Sequence, residues 1–385
     1  MTSLTISLKR LSNLSDGELR AWNQLIELHR INQHAFLTPS YCFAVDRCFP
    51  SVFVILFRDG DTVIGCLPVQ RGGGVLRLGR VYEPVGGAMT DYFGFIAAPA
   101  FNVQIGAALK AVGINAITFN HLDENQLKFG VAAAEPRVGL RTHISGTGKE
   151  FWENLKVLDK KLVSDTERRE RKLISEYGDV AFELRSSKPD ADLDELIHLK
   201  QSQYERTGKT AAPLFDKKNI ALLRTLASCK DESCSGLLST LRVNEVLVAA
   251  HFGLQCYDTL HDWFPVYAEK FHSYSPGRLL MKHLIHECVQ GAGIRTFDRG
   301  EGDTKAKRDF ANQEHQYYRG EWAQRGIAGV LGRGAISLNW RLEDLHRRFA
   351  SDAVRVKAGQ MLLPKPSHVD VNKAQYWTIL LPRVL

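Results

Sequence analysis

The chain has 385 residues, of which 44% are hydrophobic and 24% charged, and its formal net charge is +7. These fractions are those of a folded globular protein and exclude a collagen-like, low-complexity or largely disordered chain. The length exceeds the roughly 250–300 residues at which a single core usually stops growing, so two domains are expected. The modest positive charge suits nucleic acid, an anionic ligand or a membrane surface and selects none of them.

The lengths of the apolar runs and the spacing of the cysteines bear on the cellular compartment of the protein. No run reaches the ~20 apolar residues that a bilayer-spanning helix needs, and the first ten residues lack the apolar segment of a signal peptide. We therefore expect a soluble, cytoplasmic protein without a transmembrane segment. The seven cysteines form no Cys-x-x-Cys motif, which argues against a structural zinc site or a disulfide framework.

The first 145 residues mix helical and extended patterns. Apolar residues at helical spacing predict a surface helix, and two β-rich runs around an Asp-Gly pair predict a hairpin. The expected elements, in chain order, are a helix within 10–35, a short helix over 41–48, strands at 51–57 and 62–69, and short strands up to residue 96. Helix and strand then alternate to about residue 145.

A basic stretch follows. Between Lys156 and Lys172 there are seven basic and four acidic residues, and Gly178 then predicts the end of a basic helix. Such a charge run is typical of a solvated helix face. The alternative is a surface that faces an anion, such as a substrate, RNA or a lipid headgroup.

The clearest pattern begins at residue 189, where two helices are followed by the order β-β-β-α-β-α-β. The expected elements are helices near 193–204 and 218–229, strands at 236–243, 246–255 and 259–267, a helix ending at 290, a strand at 294–298, a short helix, and a strand through 317–318. A further helix is expected at 335–358. No role is assigned to the tail, residues 360–385.

The start of the helix after the third strand carries candidate ligand-binding features. Ser275 is expected to act as N-cap, Pro276 as the first helical residue, and Gly277 leaves room for close approach. Free N–H groups at such a helix start suit a phosphate group, and Arg278 could add a charged contact. Pro265, in the preceding strand, cannot donate to a central ladder and indicates a bulge or a parting of strands.

Four side chains are candidates for catalysis. His261 and Asp262 alternate along a strand and should point to opposite faces, so only one is expected to face the cleft as general base. Asp298 ends the next strand, where open sheets bind ligands, although it could instead cap the following turn. Lys307, on the short helix, could bind an acceptor carboxylate or phosphate, or be a surface lysine.

Other residues are candidates for contacts with an acceptor. Asp91 and Tyr92 would come from the first half of the chain, with buried packing as the alternative for Tyr92. His251 and Glu301 would come from the second half. Tyr317 and Tyr318 could donate a proton in catalysis, but a structural role is favoured for each. No motif of a serine hydrolase, phosphate-binding P-loop or zinc protease occurs, and no metal is predicted.

Four segments stand in a recognisable order over roughly residues 35–325: Thr90–Pro99, the basic helix Lys160–Lys172 with Gly178, Tyr274–Leu280, and Phe297–Asp303 with Lys307 and Phe310. Together they resemble the GNAT-fold acyltransferases of the cellulose biosynthesis (CelD) type. The resemblance implies that Tyr274, Ser275, Pro276, Gly277 and Arg278 form the pyrophosphate loop. This loop has fewer glycines than is usual, and Thr304-Lys305-Ala306 replaces the Glu-Pro-Tyr often found before the lysine.

The resemblance also implies a fold and an activity. The fold is α/β (α+β), with two tandem GNAT-like domains, each a mixed, mainly antiparallel sheet flanked by helices. The N-terminal domain would span residues 1–145, the C-terminal domain with the acyl-CoA site 146–330, and a helix and tail 331–385. An acyl group would pass directly from acetyl-CoA or a longer acyl-CoA to an amine or hydroxyl of a polysaccharide, sugar or lipid precursor.

Two alternatives remain open at this stage. A Fem-like transferase would take its acyl group from aminoacyl-tRNA, would use the basic helix, and would bind RNA with strong salt dependence. A non-catalytic subunit would instead dock onto a polysaccharide synthase complex through the apolar segment Tyr376–Leu385. Nucleic acid is otherwise not expected as a partner.

Overall fold

The computed structural model describes residues 4–29, 34–98, 100–130, 133–209 and 212–359. Within these ranges the strands are β1 Leu4–Arg10, β2 Val52–Asp59, β3 Thr62–Arg71, β4 Val81–Glu83, β5 Ile96–Ala97, β6 Ala116–Asp123, β7 Ala133–His143, β8 Val180–Glu183, β9 Lys230–Asp231, β10 Cys234–Val243, β11 Val246–Cys256, β12 Thr259–Tyr267, β13 Thr296–Glu301 and β14 Gln313–Ala323. The tail at 360–385, with its apolar segment, lies outside the described residues.

The helices are α1 Asp16–His29, α2 Pro39–Cys48, α3 Gly74–Leu78, α4 Ile105–Val112, α5 Gly148–Leu158, α6 Lys160–Tyr177, α7 Pro189–Arg206, α8 Lys217–Ala227, α9 Pro276–Ala292, α10 Lys305–Arg308 and α11 Ile327–Gly359. The described residues up to Trp340 form one compact unit, and a second unit begins at Arg341 within α11.

The described strands form one mixed sheet with the order β1-β2-β3-β4-β6-β14-β7-β13-β12-β11-β10-β8, to which β5 and β9 add at β3 and β10. The pairs β4–β6 and β12–β13 are parallel, and the other pairs of this order are antiparallel. Helices cover the sheet. The fold is therefore the mixed, mainly antiparallel α/β arrangement that the resemblance implies.

The two halves of the sheet have the same arrangement of strands. Counted inward from either edge, the fourth and fifth strands are the parallel pair, β4–β6 on one side and β12–β13 on the other. Helix α4 joins β4 to β6, and α9 joins β12 to β13 in the same way. At the centre, β7 pairs with β13 and β14 pairs with β6. Each half of the sheet is thus completed by a strand from the other half of the chain. We call residues 4–145 the N-terminal half and residues 146–326 the C-terminal half.

Local sequence explains the strongest elements. Asn244 and Glu245, with φ angles of 45° and 64°, form the two-residue turn between β10 and β11, as hairpins with this turn type require. Gly178, at φ 91°, ends α6. The predicted single basic helix is two helices, because the Asp159 side chain accepts a hydrogen bond from Leu162 N at 2.9 Å and starts a new helix there.

Other expectations for the first half of the chain need correction. Strand β1 was not predicted, whereas the predicted surface helix is α1, which buries Trp22 and Ile26 on its apolar face and exposes the other face. Residues 92–95 do not form a continuous strand: Phe93 makes a single parallel bridge to Leu122. The cause is a loop whose aromatic side chains turn into the core on both sides of this bridge.

The largest apolar cluster is shared between the two halves. It joins Trp22 and Tyr41 of the N-terminal half to Leu222 and Phe252 of the C-terminal half. A second cluster under α9, α5 and α6 belongs to the C-terminal half except for Ile144. The shared core and the exchanged strands fix the two halves together, so side chains from both meet at the centre of the sheet.

Candidate active site

The central feature of the C-terminal half is a gap between β12 and β13. The two strands pair only through Thr259↔Thr296, Leu260↔Phe297 and His261↔Asp298. Asp262 and Trp263 lie at a register shift between β11 and β12, and from Phe264 to Tyr267 β12 continues with β11 as its described partner. The strands therefore part three residues before Pro265, and the parting predicted from that proline is confirmed.

The corresponding gap in the N-terminal half is closed. Strands β4 and β6 pair at Val81 and Tyr82, and the chain then returns so that Phe93 N donates to His121 O at 3.0 Å. Phe93 also bridges Leu122. Of the two related gaps, only the one beside β12 leaves room for an extended ligand.

Helix α9 begins beside the open gap. Ser275 and Pro276 occupy the N-cap and first helical positions, as predicted, but Ser275 adopts a left-handed conformation and its side chain makes no capping hydrogen bond. Gly277 is exposed, and a Cβ added there would have open space within 4 Å. A negatively charged group can therefore approach the first turn of α9 without meeting a side chain at this position.

Two side chains of the predicted loop already have partners. Arg278 donates to Asp309 at 2.8 Å and lies 3.4 Å from Asp165, so its charge is neutralised before any phosphate arrives. The Tyr274 ring is buried and its hydroxyl donates to Glu176 of α6. Arg169 of α6 donates to the carbonyl of Ser273. The basic helix thus holds this loop in place.

Asp298 lies at the centre of the site with no exposed side-chain surface. It is within β13 rather than at its end. Arg141 Nε donates to its Oδ2 at 2.9 Å, while Gly300 N donates to Oδ1 at 2.9 Å and the Tyr317 hydroxyl at 3.3 Å. Burial raises the pKa of Asp298, but the positive charges of Arg141 and nearby histidines outweigh it and hold that pKa well below its ordinary value. Asp298 is therefore a carboxylate in this site.

Asp91 and His261 form an ion pair across the two halves. The distance from His261 Nε2 to Asp91 Oδ2 is 2.7 Å, and His261 Nδ1 lies 3.9 Å from Asp298 Oδ1. The histidine side chain is 4% exposed and the aspartate 32%. Burial lowers the pKa of His261, yet the two carboxylates raise it above its ordinary value overall. Asp91 is thus the accessible end of a proton-holding pair.

Two tyrosines extend this network. The hydroxyl oxygens of Tyr92 and Tyr317 are 2.5 Å apart, and both rings are buried. The Tyr92 ring also stacks on His34, with 3.4 Å between ring centroids, and His34 Nε2 lies 3.1 Å from Asp123. Tyr92 therefore packs in the core, as the alternative prediction stated, and it also lies beside the charged groups of the site.

Asp262 belongs to a second charged group. His251 Nε2 lies 3.0 Å from its Oδ1, and Arg299 Nε donates to its Oδ2 at 3.1 Å. Burial raises the pKa of Asp262, but the adjacent His251 imidazole and the charge of Arg299 outweigh burial, so the pKa lies well below its ordinary value. His251 is 1% exposed and reaches the gap only through Asp262.

The remaining predicted acceptor contacts lie at the edge of the site. Glu301 is paired with His121 at 3.3 Å and with Arg137 at 3.3 Å. Lys307 Nζ donates to the carbonyl of Glu301 at 2.5 Å, and burial lowers the pKa of Lys307. Tyr318 donates to Gln316 away from this cluster.

The structure therefore brings most of the predicted catalytic and acceptor residues together, and it places the loop residues 274–278 at the start of α9, the helix between β12 and β13. Sequence reasoning missed His34, Asp123, Arg141, Arg299 and His315. Arg141 had a visible signal, since it is a charged residue within a β run, but its partner Asp298 lies 157 residues away. Within the described ranges, no three His, Cys, Asp or Glu side chains are arranged to hold a metal ion.

Residues 161–308 match the family model of the acetyltransferase (GNAT) domain. The matched range contains the β12–β13 gap, α9 and Asp298, whereas Asp91, Arg141 and Tyr317 lie outside it. Residues 161–308 are thus similar to a GNAT-superfamily acetyltransferase domain, which supports the coarser part of the resemblance. The cellulose biosynthesis subtype stays a prediction.

Solved structures support the same fold. FemX superposes with a TM-score of 0.52 at 11% identity, covering 73% of this chain and 90% of FemX. The C-terminal domain of a protein named as a lysylphosphatidylglycerol synthetase, from Agrobacterium fabrum, gives a TM-score of 0.51 at 11% identity and covers 83% and 96%. No curated protein matches the chain. No helix in the described ranges is both long and apolar enough to cross a membrane.

Proposed function

We propose that this protein transfers an acyl group directly from an acyl-CoA thioester to an amine or hydroxyl acceptor at the β12–β13 gap. The observation that carries the proposal is the parting of these strands directly after the His261↔Asp298 pair, next to the first turn of α9. A polysaccharide, sugar or lipid precursor is the acceptor class we favour. The GNAT match to residues 161–308 supports the donor class.

The residues around the gap fit such a donor. Gly277 leaves the first turn of α9 open to a pyrophosphate, and the part of β12 that has left β13 has backbone groups available for an extended chain. Arg299 Nη1 is buried without a hydrogen-bond partner in the described part of the structure. It supplies a donor for an oxygen at the parting of the strands. When bound, the thioester supplies an electrophilic carbonyl carbon and a thiolate leaving group.

The Asp91–His261 pair would remove the acceptor proton. Asp91 is the exposed member and contacts the acceptor, while His261 behind it holds the proton once it has moved. The Asp298 carboxylate favours the protonated His261 ring, and Arg141 keeps Asp298 ionised. Both halves of the chain are required for proton removal, because Asp91 comes from the N-terminal half and His261 from the C-terminal half.

The proposal is tested by calorimetric titration with coenzyme A, acetyl-CoA and a series of longer acyl-CoA thioesters. Gly277→Glu places a negative side chain in the first turn of α9 and should abolish binding. Gly106→Glu is the matched control, because Gly106 is the second residue of α4, the helix related to α9, and also has open space around it. It should bind donors as the unaltered protein does.

Absence of binding by every thioester would overturn the proposal. Salt-dependent binding of aminoacyl-tRNA in that case would favour a Fem-like transferase, for which the basic helix α6 beside the loop is the supporting feature. Binding of neither donor would leave a non-catalytic subunit of a polysaccharide synthase complex, to be tested by co-purification. The best chain length among bound thioesters would define the acyl group.

A further inference from the structure

Lys200 is a lysine at the gap that the proposed mechanism does not use. It lies on α7, which packs against β12, and its Nζ donates to the carbonyl of Pro265 at 2.7 Å. Pro265 is exposed and lies on the part of β12 that has separated from β13. The amine is therefore held against the same stretch of strand that the proposed donor would follow.

The surroundings of Lys200 keep its charge weakly compensated. Its Nζ lies 5.6 Å from the centre of the Tyr204 ring, and no carboxylate of the described residues is within 4.0 Å of it. Burial is the main cause that lowers the pKa of Lys200 to about 8, and Lys209 lowers it further, while Asp262 acts in the opposite direction. At pH 8 about half of the amine is neutral, roughly a hundredfold more than for an ordinary lysine.

We propose that Lys200 is a self-acylation site of this protein, modified by the acyl thioester bound along β12. The inference rests on the proposed function, since it needs the same donor. In the step, the neutral Nζ attacks the thioester carbonyl carbon, a C–N bond forms and the C–S bond breaks. The thiolate leaves as the free thiol with the proton that the nitrogen releases, and an amide remains on Lys200.

Acylation would change the gap in a defined way. It removes the positive charge near Asp262 and leaves one N–H, which can still donate to the carbonyl of Pro265. The modified side chain is longer and uncharged, and it occupies space beside β12. Self-acylation therefore takes place when the donor is bound and the acceptor is absent. The acylated Lys200 is then a covalent mark of that state.

The test is a peptide map of the full-length protein after incubation with isotopically labelled acetyl-CoA at pH 8 and no acceptor. Lys200 should gain label at least about tenfold faster than Lys188, an exposed lysine just before the start of the same helix. Gly277→Glu should lose the label at Lys200 and keep the slow background at Lys188. Lys200→Arg, which keeps the charge and a donor for Pro265, should reduce the fast-phase mass gain of the intact chain by one acetyl group.

A second readout needs no donor. Trace labelling with acetic anhydride across a pH series should show the reactivity of Lys200 rising near pH 8. If calorimetry finds acetyl-CoA bound but Lys200 is labelled no faster than Lys188, the inference is wrong and the proposed function stands. If no thioester binds, the proposed function is wrong and this inference with it.

Discussion

His261 Nε2 lies 2.7 Å from Asp91 Oδ2, and the two residues come from opposite halves of the chain. The aspartate is the more exposed partner and the histidine is almost fully enclosed. Burial disfavours both charges, yet the contact raises the pKa of His261 and lowers that of Asp91, so each group favours the charged form of the other. Each group depends on the other half of the molecule for its ionisation state.

The first prediction concerns proton removal. Acyl transfer requires the pair to accept a proton, so the rate should rise with pH as it passes the pKa of His261, above the ordinary value for histidine. Asp91→Asn should lower that pKa, because burial then acts with less opposition, and should reduce the rate by about 10²–10⁴-fold. The rate is measured as thiol release from acetyl-CoA with water as acceptor, and the pKa by NMR of labelled histidine.

The Asp91–His261 pair also makes the free energy of unfolding depend on pH. A raised histidine pKa contributes stability that is present below its unfolded value and is lost as pH rises through its folded value. The lowered pKa of Asp91 contributes stability above the unfolded aspartate value and is lost as pH falls through the folded one. Unfolding in urea should therefore show the largest difference between the protein and Asp91→Asn between these limits. An equal difference at all pH values would contradict this.

The second prediction concerns the buried ion pair of Arg141 and Asp298. Arg141→Gln leaves the enclosed carboxylate without its main cation and should lower the free energy of unfolding by about 3 kcal/mol at pH 7. The loss should shrink as pH falls, because the pKa of Asp298 rises in the variant and its carboxyl takes up a proton. Arg224→Gln, which removes an exposed pair with Asp194, should change stability by less than about 0.5 kcal/mol.

The third prediction concerns Gly139. A Cβ at this position would lie 2.1 Å from Cε2 of Tyr317, so the ring that reaches Asp298 crosses β7 only because a glycine is there. Gly139→Ala should destabilise the protein by about 1–3 kcal/mol. Gly334→Ala, in α11 with open space around it, should instead stabilise by up to about 1 kcal/mol. A neutral Gly139→Ala would show that Tyr317 can move without cost.

The fourth prediction concerns the two hydroxyl groups that meet between the halves. Tyr92→Phe and Tyr317→Phe should each cost about 1 kcal/mol in the free energy of unfolding. Because the oxygens are 2.5 Å apart, the double variant should cost less than the sum of the two. Strict additivity in urea titrations would mean that this contact contributes nothing to stability.

Sequence patterns predicted the C-terminal half well for a physical reason. Its hairpins carry alternating apolar residues and a turn at Asn244-Glu245, and α9 has a proline start and a glycine end. These signals are local. The parting of strands near Pro265 was also predictable, because a proline lacks the N–H that a central strand donates.

The charged network could not be predicted in the same way. Arg141 and Asp298 meet only because β7 crosses into the other half of the sheet, and nothing near either residue in the chain indicates that pairing. The missing side-chain cap at Ser275 could not be predicted, because this N-cap residue adopts a left-handed conformation that a sequence motif alone does not reveal. Long-range pairing and backbone conformation decided these sites.

The exchange of β7 and β14 has a consequence for how this chain can be divided. If the backbone were cut in the turn between His143 and Gly148, each fragment would carry a strand that belongs in the sheet of the other. Neither fragment could complete its sheet alone, and each would expose an unpaired edge that is prone to aggregation. Fragments made together could restore the sheet only by associating with each other. We therefore expect the two halves to fold as one unit.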